Sequence, residues 1–357
     1  MLALVAGIAA ACETGTEPMD GPAFDAEAAL ADHQALDTLL ASKAMDGFRA
    51  MARGVTFGSV GVGADFAGQA AAELQLLGSP SGPGAFAARL AELAAGADDK
   101  PAQNPIISSF RRGKTFVYDP SVGRYVIDED REGAPETGVR FILYEPGPDG
   151  RPDPDKEVGH ADLIDEGDES AEEIALRLVV SDGETPVLEY RTTVDVLENG
   201  GKITVKGFFQ GDDDRLDFDI QVSGTAEDDG ASMDVEFEMG IRERDFLITG
   251  SVHGAHTDSG EGGEINLTVR HGTDSFSVSL TGDGDSIDGT IFLNGDLFAT
   301  VEGDPDAPTI LGASGAELTW AEMLVLRQII DSAEDVFDFF EDLLDPMDEL
   351  VILALIL

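Results

Sequence analysis

The sequence predicts an α+β protein that is mainly β, built on a curled antiparallel meander or an incomplete β-barrel. An Ala-rich helical N-terminal region and a C-terminal amphipathic helix packed on the sheet complete the predicted fold. Three observations support this prediction. Apolar and polar side chains alternate with a period of two across residues 115–302, turn-forming sequences separate the alternating segments, and an apolar stripe at helical spacing follows them.

The N-terminal part of the predicted fold is helical in character. Residues 23–97 are rich in alanine, and Leu36, Leu40, Phe48 and Met51 recur at near-helical spacing. A linker then leads into the β domain, which we place at residues 105–303.

The β domain is predicted from alternation such as that of Leu216, Phe218 and Ile220 with charged residues between them. Successive side chains of a strand point to opposite faces, so each such segment has one dry and one wet face. Clean alternation is typical of antiparallel sheets, and turn signals such as Asn294-Gly295 connect neighbouring strands. We therefore expect about a dozen strands in a meander, with glycines such as Gly250 on the apolar side allowing close backbone approach.

The C-terminal part predicts one amphipathic helix at residues 314–346, followed by an apolar tail at residues 347–357. Acidic residues lie opposite the apolar stripe, and Pro346 marks the end of the helix. The stripe consists of Leu326, Ile330, Ala333, Phe337, Phe340, Leu344 and Met347.

The charge balance limits the classes of partner. The 357 residues include 71 Asp and Glu against 22 Lys and Arg, a formal net charge of -49. Such a surface repels nucleic acid and anionic lipid headgroups, and it attracts cations and basic proteins. Adaptation to a salty habitat would produce the same composition, because salt screens the self-repulsion.

The N-terminus predicts an export signal at residues 1–12 and a tether at residues 13–22. An apolar segment ending in Ala9, Ala10 and Ala11 precedes Cys12, the only cysteine of the chain. This pattern resembles the lipobox of bacterial lipoproteins, although Ala9 stands where Leu is usual.

The resemblance implies lipidation of Cys12 and a lipid anchor in a bacterial membrane. It places the protein in the cell envelope, periplasmic or on the cell surface, with the outer membrane favoured because Glu13 follows the cysteine. The alternative is an apolar N-terminal strand or helix with an incidental buried cysteine.

Acidic turns provide the candidate metal ligands. Asp283, Asp285 and Asp288 crowd one hairpin and form a calcium candidate, because Ca²⁺ prefers oxygen ligands in turns. Solvated turn residues are the alternative interpretation.

His253 and His256 lie three residues apart, so on one strand they point to opposite faces and cannot share an ion. No arrangement of nucleophile, base and carboxylate is recognisable, so we predict no catalytic residues and no enzymatic activity.

The segments Gly113–Pro120, Gly123–Tyr125 and Gly138–Tyr144 resemble exported bacterial lipoproteins of unknown function, a resemblance that implies no activity or cofactor. The predicted architecture is similar to lipoprotein carriers and lipocalins, which implies a non-enzymatic binding or carrier module for an apolar ligand. The alternative is a structural or interaction protein whose acidic, calcium-binding face meets cations or basic proteins.

Overall fold

The structure of the chain is a computed structural model. The structure describes residues 43–54, 107, 109–167, 173–197, 199–211, 214–227, 230–257, 260–283, 285–305, 307–319, 322–323 and 326.

One helix and fifteen strands form the described secondary structure, together with a short 3₁₀ helix at Arg242–Arg244. The helix, α1, spans Lys43–Gly54. The strands are β1 (Lys114–Asp119), β2 (Arg124–Asp128), β3 (Gly138–Pro146), β4 (Pro152–Asp165), β5 (Glu173–Asp182), β6 (Thr185–Leu197), β7 (Gly200–Gln210), β8 (Arg215–Glu227), β9 (Gly230–Ile241), β10 (Phe246–Thr257), β11 (Gly260–His271), β12 (Asp274–Asp283), β13 (Ile287–Leu293), β14 (Asp296–Asp304) and β15 (Ala307–Gly312).

All fifteen strands belong to one sheet, which is open. From β3 to β15 each strand pairs with the next strand along the chain, and every one of these pairs is antiparallel. The predicted mainly β antiparallel meander is therefore confirmed, with more strands than expected. The first three strands depart from the meander, because β1 lies between β2 and β3 and pairs with β3 in parallel.

The two-residue alternation gives the strands from β4 onward one apolar face, whereas β3 also buries Ile142 and Tyr144 on its other side. Phe218 of β8, Met239 of β9 and Ile248 of β10 occupy one cross-strand row, and each is buried. A large buried cluster runs from α1 across this face as far as Leu267 of β11. A second buried cluster covers β12 to β14 and includes Phe276, Ile291 and Phe298. We call this side of the sheet the core face.

Helix α1 packs on the core face over β3, β4 and β5. Phe48 and Met51, two residues of the predicted helical stripe, are fully buried there. Gly47 allows this close approach, since a Cβ at its position would lie 3.0 Å from the carbonyl oxygen of Tyr144. The rest of the predicted N-terminal helical region, including Leu36 and Leu40, lies outside the described residues.

Glycine also allows a large side chain to cover the backbone of the next strand. Gly250 of β10 lies directly opposite Phe237 of β9, and a Cβ at residue 250 would lie 2.3 Å from Cζ of the Phe237 ring. Gly207 of β7 lies opposite Tyr190 of β6, and a Cβ at residue 207 would collide with the Glu189 carbonyl oxygen and with Cβ of Tyr190. In both pairs a residue of the neighbouring strand lies close to the glycine backbone, as the glycines on the apolar side predict.

The β13–β14 turn has the predicted chemistry. Asn294 and Gly295 have φ values of 51° and 84°, as a tight hairpin turn with two left-handed residues requires. The Asn294 carboxamide oxygen accepts a hydrogen bond of 2.7 Å from the backbone N–H of Ser275 on β12.

Beyond β15, the chain begins a helical turn. The Thr319 hydroxyl accepts a hydrogen bond of 3.3 Å from the Glu322 backbone N–H, and the Glu322 carboxylate accepts one of 2.7 Å from the Thr319 backbone N–H. This reciprocal pattern is a capping box, which starts a helix. Leu326, the first residue of the predicted C-terminal stripe, is buried in the second cluster. The remainder of that helix and the apolar tail lie outside the described residues.

Candidate functional site: the acidic face of β8 to β11

The wet side of the central strands carries a group of carboxylates that the sheet register brings together. Strands β8 to β11 are regular and antiparallel, so polar residues of the same parity lie side by side on the side opposite to the core face. We call this surface the acidic face. It carries Asp217, Asp219, Asp234, Glu236, Glu238 and Glu264.

A shallow depression of about 410 Å³ lies on these four strands. Its carboxylates come from β8 and β9, and its hydroxyl and amide groups come mainly from β10 and β11. Such a lining suits a ligand with positive charge and hydrogen-bonding groups, and it does not suit an apolar one. The lining residues are Asp219, Gln221, Glu236, Phe237, Glu238, Thr249, Gly250, Ser251, Asn266 and Thr268.

Some carboxylates of the acidic face have a cationic or hydrogen-bonding partner. Lys206 of β7 contacts Asp219 at 2.7 Å, and Nδ1 of His253 lies 2.7 Å from Asp234. Asp217 contacts Arg215 at 2.9 Å and Arg242 at 3.4 Å. These contacts provide partners for Asp217, Asp219 and Asp234, whereas the centre of the acidic face has no cationic partner among the described residues.

Glu236 and Glu238 form that centre. Both side chains are exposed, and neither forms an ion pair with any residue that the structure describes. Glu238 lies directly opposite Asp219, whose Oδ1 atom is buried without a hydrogen-bond partner. Like charges at directly opposite positions repel each other. The centre of the acidic face therefore carries negative charge that a bound cation would relieve.

The wet side of the first strands has a different character. Arg140 of β3 donates two hydrogen bonds of 2.7 Å to the two carboxylate oxygens of Asp162 on β4. His160 lies 3.8 Å from Asp162. Burial and the Arg140 guanidinium lower the pKa of His160, although the Asp162 carboxylate acts in the opposite direction. Arg140 and Asp162 thus satisfy each other's charge, and we interpret this cluster as a contact that stabilises the fold.

Other cations of the first half are paired in the same way. Arg177 contacts Glu166 at 2.7 Å and Glu189 at 3.4 Å, and Arg191 contacts Glu166 at 3.0 Å. These contacts provide carboxylate partners for Arg177 and Arg191, so arginine ion pairs are a feature of the wet side in the first half of the sheet.

The predicted calcium candidates lie at the β12–β13 hairpin. Asp283 Oδ1 accepts hydrogen bonds from the backbone N–H groups of Asp285 and Ser286 and from the Ser286 hydroxyl, which lowers the pKa of Asp283. Asp288 lies on β13 opposite Thr281 and Glu302. The Asp283 carboxylate therefore caps the turn, while Asp288 belongs to a strand. Calcium binding at this hairpin stays a prediction.

The remaining sequence candidates are separated or lie outside the described part. His253 and His256 lie on β10, which keeps a regular register with both neighbours, so they point to opposite faces as expected. Within the described residues, no group of three or more His, Cys, Asp or Glu side chains could hold a metal ion. Cys12 lies outside the described residues.

Sequence reasoning identified the acidic surface as a whole but not its centre. The signal was present on β9, where Asp234, Glu236 and Glu238 share one parity. What the sequence lacked was the register that places Asp219 beside Glu238.

No helix among the described residues has the length and apolar character needed to cross a membrane. Comparison with protein families, with curated proteins and with solved structures finds no match for this chain.

Proposed function

We propose that this chain is a non-enzymatic interaction protein whose acidic face binds a cationic segment of another protein. The observation that carries the proposal is the pair of exposed glutamates, Glu236 and Glu238, which have no cationic partner within the described sheet. Lysine and arginine side chains would supply the missing charge, and both tolerate a half-exposed site.

The spacing of the acids favours an extended partner. Asp234, Glu236 and Glu238 alternate along β9, so neighbouring carboxylates start about 7 Å apart. An extended peptide repeats its own side chains at the same interval. A segment with basic residues at alternate positions would therefore place one charge beside each acid.

Hydrogen-bonding groups beside the acids add contacts that a simple counter-ion could not use. Glu236 has Gln221 on one side and Ser251 on the other, and Ser251 in turn faces Asn266. These side chains are half-buried, and Asn266 Nδ2 already lies 3.4 Å from the Ser251 hydroxyl. They suit the backbone and polar groups of a peptide.

The other predicted role, a carrier for an apolar ligand, stays a prediction. Side chains along the core face, including Phe209, Leu216 and Ile241, are fully buried, and the depression of the acidic face has a polar lining. These observations favour the interaction role over the carrier role.

We further propose that the protein acts at the cell envelope, anchored through a lipid on Cys12 as its lipobox-like N-terminus suggests. The predicted C-terminal helix would continue from Leu326 over the core face of β12 to β14, with its acidic side outward. The burial of Leu326 in the second cluster supports this placement. Loss of radioactive palmitate labelling on Cys12→Ser would test the anchor.

Binding is tested with a labelled peptide of alternating Lys and Ser, measured by fluorescence anisotropy. We expect Glu236→Gln/Glu238→Gln to weaken binding by about tenfold at low salt, because two facing charges are lost. The matched control, Asp296→Asn/Glu302→Gln, removes the same charge from exposed positions on β14.

The two double variants separate a site from general attraction. Each variant changes the net charge from -49 to -47, because two acids are neutralised (-49 + 2). A site on the acidic face predicts less than a twofold effect for the control. Equal losses in both variants would mean non-specific attraction to an acidic protein and would overturn the proposal.

A further inference from the structure

The two edges of the sheet differ in how well they are protected. At the β15 edge, Pro308 lacks a backbone donor, and Leu311 forms an isolated bridge with Glu317 that covers part of the edge. At the other edge, β2 pairs only with β1, and the register of that pair is regular over all five residues. The strand contains no proline and no bulge, so its outer backbone groups can accept another strand.

The sequence of β2 is self-complementary. It reads Arg124-Tyr125-Val126-Ile127-Asp128, with opposite charges at its two ends. We propose that β2 pairs antiparallel with β2 of a second copy of this chain, about a two-fold axis at Val126. In that register Arg124 of each copy lies opposite Asp128 of the other, and the two Val126 residues face each other. A shift of the register by two residues would lose both charge pairs.

The two faces of the combined sheet also match. Arg124, Val126 and Asp128 have the same parity, so they share the wet side, while Tyr125 and Ile127 lie on the core face. Tyr125 and Ile127 are only partly buried against the main cluster. In the proposed dimer Tyr125 lies opposite Ile127 of the second copy, twice by symmetry, and the core face continues across the axis.

The charge on Arg124 supports this pairing. Its side chain is exposed, and it forms no ion pair with any residue in the described part of this acidic protein. The Asp128 carboxylate accepts a hydrogen bond of 3.0 Å from the Asp130 backbone N–H. Its ion-pair contact within the described part is a long one, of 3.7 Å, with Arg131 Nε, and the side chain is 30 % exposed. Both ends of β2 therefore remain available to a facing strand.

The association should be weak and should strengthen with salt. Five residue pairs bury less area than a stable interface needs, and two copies of net charge -49 repel each other. Because salt screens that repulsion, we expect dimers at about 100 µM protein in about 0.5 M NaCl and fewer at about 0.05 M.

Cysteine cross-linking tests the register directly. In a full-length Cys12→Ser background, Val126→Cys should form a covalent dimer under mild oxidation, because the two cysteines would lie at facing positions. Thr309→Cys on β15 is the control, since this side chain is more exposed than Val126. Cross-linking of both variants at equal rates would indicate random collision and would overturn the proposal.

A charge exchange tests the pairing without cysteines. Arg124→Asp alone and Asp128→Arg alone place like charges opposite each other, so sedimentation should find each variant monomeric. An equimolar mixture should form heterodimers, since every facing pair is then complementary. A mixture that stays monomeric under conditions where the unmodified chain dimerises would overturn the register, and an unmodified chain that stays monomeric would overturn the dimer.

Discussion

The two halves of the sheet carry nearly the same number of acids but very different numbers of cations. Residues 107–210 contain 23 acidic and 12 basic side chains, whereas residues 211–319 contain 25 acidic and four basic ones, and no lysine follows Lys206. In the first half, Arg140, Arg177 and Arg191 form ion pairs on the wet side of the strands. In the second half, Glu236 and Glu238 remain unpaired within the described structure.

This difference separates two explanations of the acidity. Adaptation to salt acts on the whole surface and would remove cations from both halves alike. Here the cations are concentrated where they form structural pairs and are scarce beside the acidic face. The distribution favours a local use of the negative charge, as the proposed interaction requires.

The largest effect is expected where an ion pair of the first half is broken. Arg140→Met leaves Asp162, which is 8 % exposed, without its bidentate partner. We expect the free energy of unfolding to fall by about 3 kcal/mol, measured by urea unfolding at pH 7. The control is Arg242→Met in the second half, where the side chain is 85 % exposed and about 0.5 kcal/mol or less should be lost. Similar losses in both variants would contradict the contrast between the halves.

The next effect concerns glycine packing in the second half. A valine at Gly250 would collide with the Phe237 ring, so Gly250→Val should lower the free energy of unfolding by about 2 kcal/mol. A Cβ at Gly262 of β11 makes only an ordinary contact, of 3.6 Å, so Gly262→Val is the matched control and should be neutral or slightly stabilising. Thermal melts of both variants check this prediction, and a neutral Gly250→Val would disprove the close approach.

A smaller effect should have opposite signs in the two halves. Glu238→Gln removes repulsion with Asp219, so it should raise the free energy of unfolding by about 0.5 kcal/mol at low salt. Glu189→Gln weakens the contact with Arg177 and should lower it by a similar amount. Unfolding in about 0.02 M and about 1 M NaCl tests both changes, since screening should shrink them together. A destabilising Glu238→Gln would show that this carboxylate has a stabilising partner.

The smallest effect is a pH dependence of the first half. The pKa of His160 is lower in the folded chain than in the unfolded one, so protonation favours unfolding. Stability is therefore lost as the pH falls below about 6.5, the ordinary histidine value, towards the lowered pKa. Compared with His160→Gln, the unmodified chain should lose more stability between pH 7.5 and pH 5.5 in thermal melts, with differences expected on the order of one or two degrees. Parallel curves for the two proteins would contradict the assignment.

Local patterns predicted most of the strands. The alternation of β8 and β9 and the Asn294-Gly295 turn are short-range signals, because the side-chain period and the turn conformation depend on neighbouring residues. The same signals placed Gly250 on the apolar side and Phe48 on a helix face. The core face could therefore be assigned before any pairing was known.

Long-range relations could not be predicted in the same way. The parallel pairing of β1 with β3 skips a strand, and β15 contains Pro308, which argues against a strand unless it lies at an edge. The juxtaposition of Asp219 and Glu238 depends on the register between two strands, which alternation alone does not fix. The candidate site was therefore visible as an acidic surface, and its centre emerged only from the paired sheet.

The connectivity from β3 to β15 has a consequence for how such a chain can change its length. Each strand from β4 to β14 hydrogen-bonds only to its predecessor and its successor in the chain, much as units of a linear array contact only adjacent units. Gain or loss of one hairpin within this stretch would leave the remaining pairings and both faces in phase. The sheet can thus gain or lose two strands at a time by duplication or deletion of a hairpin. At the N-terminal end, such a change would disrupt the sheet, because β1 pairs with β3 and not only with the strand that follows it in the chain.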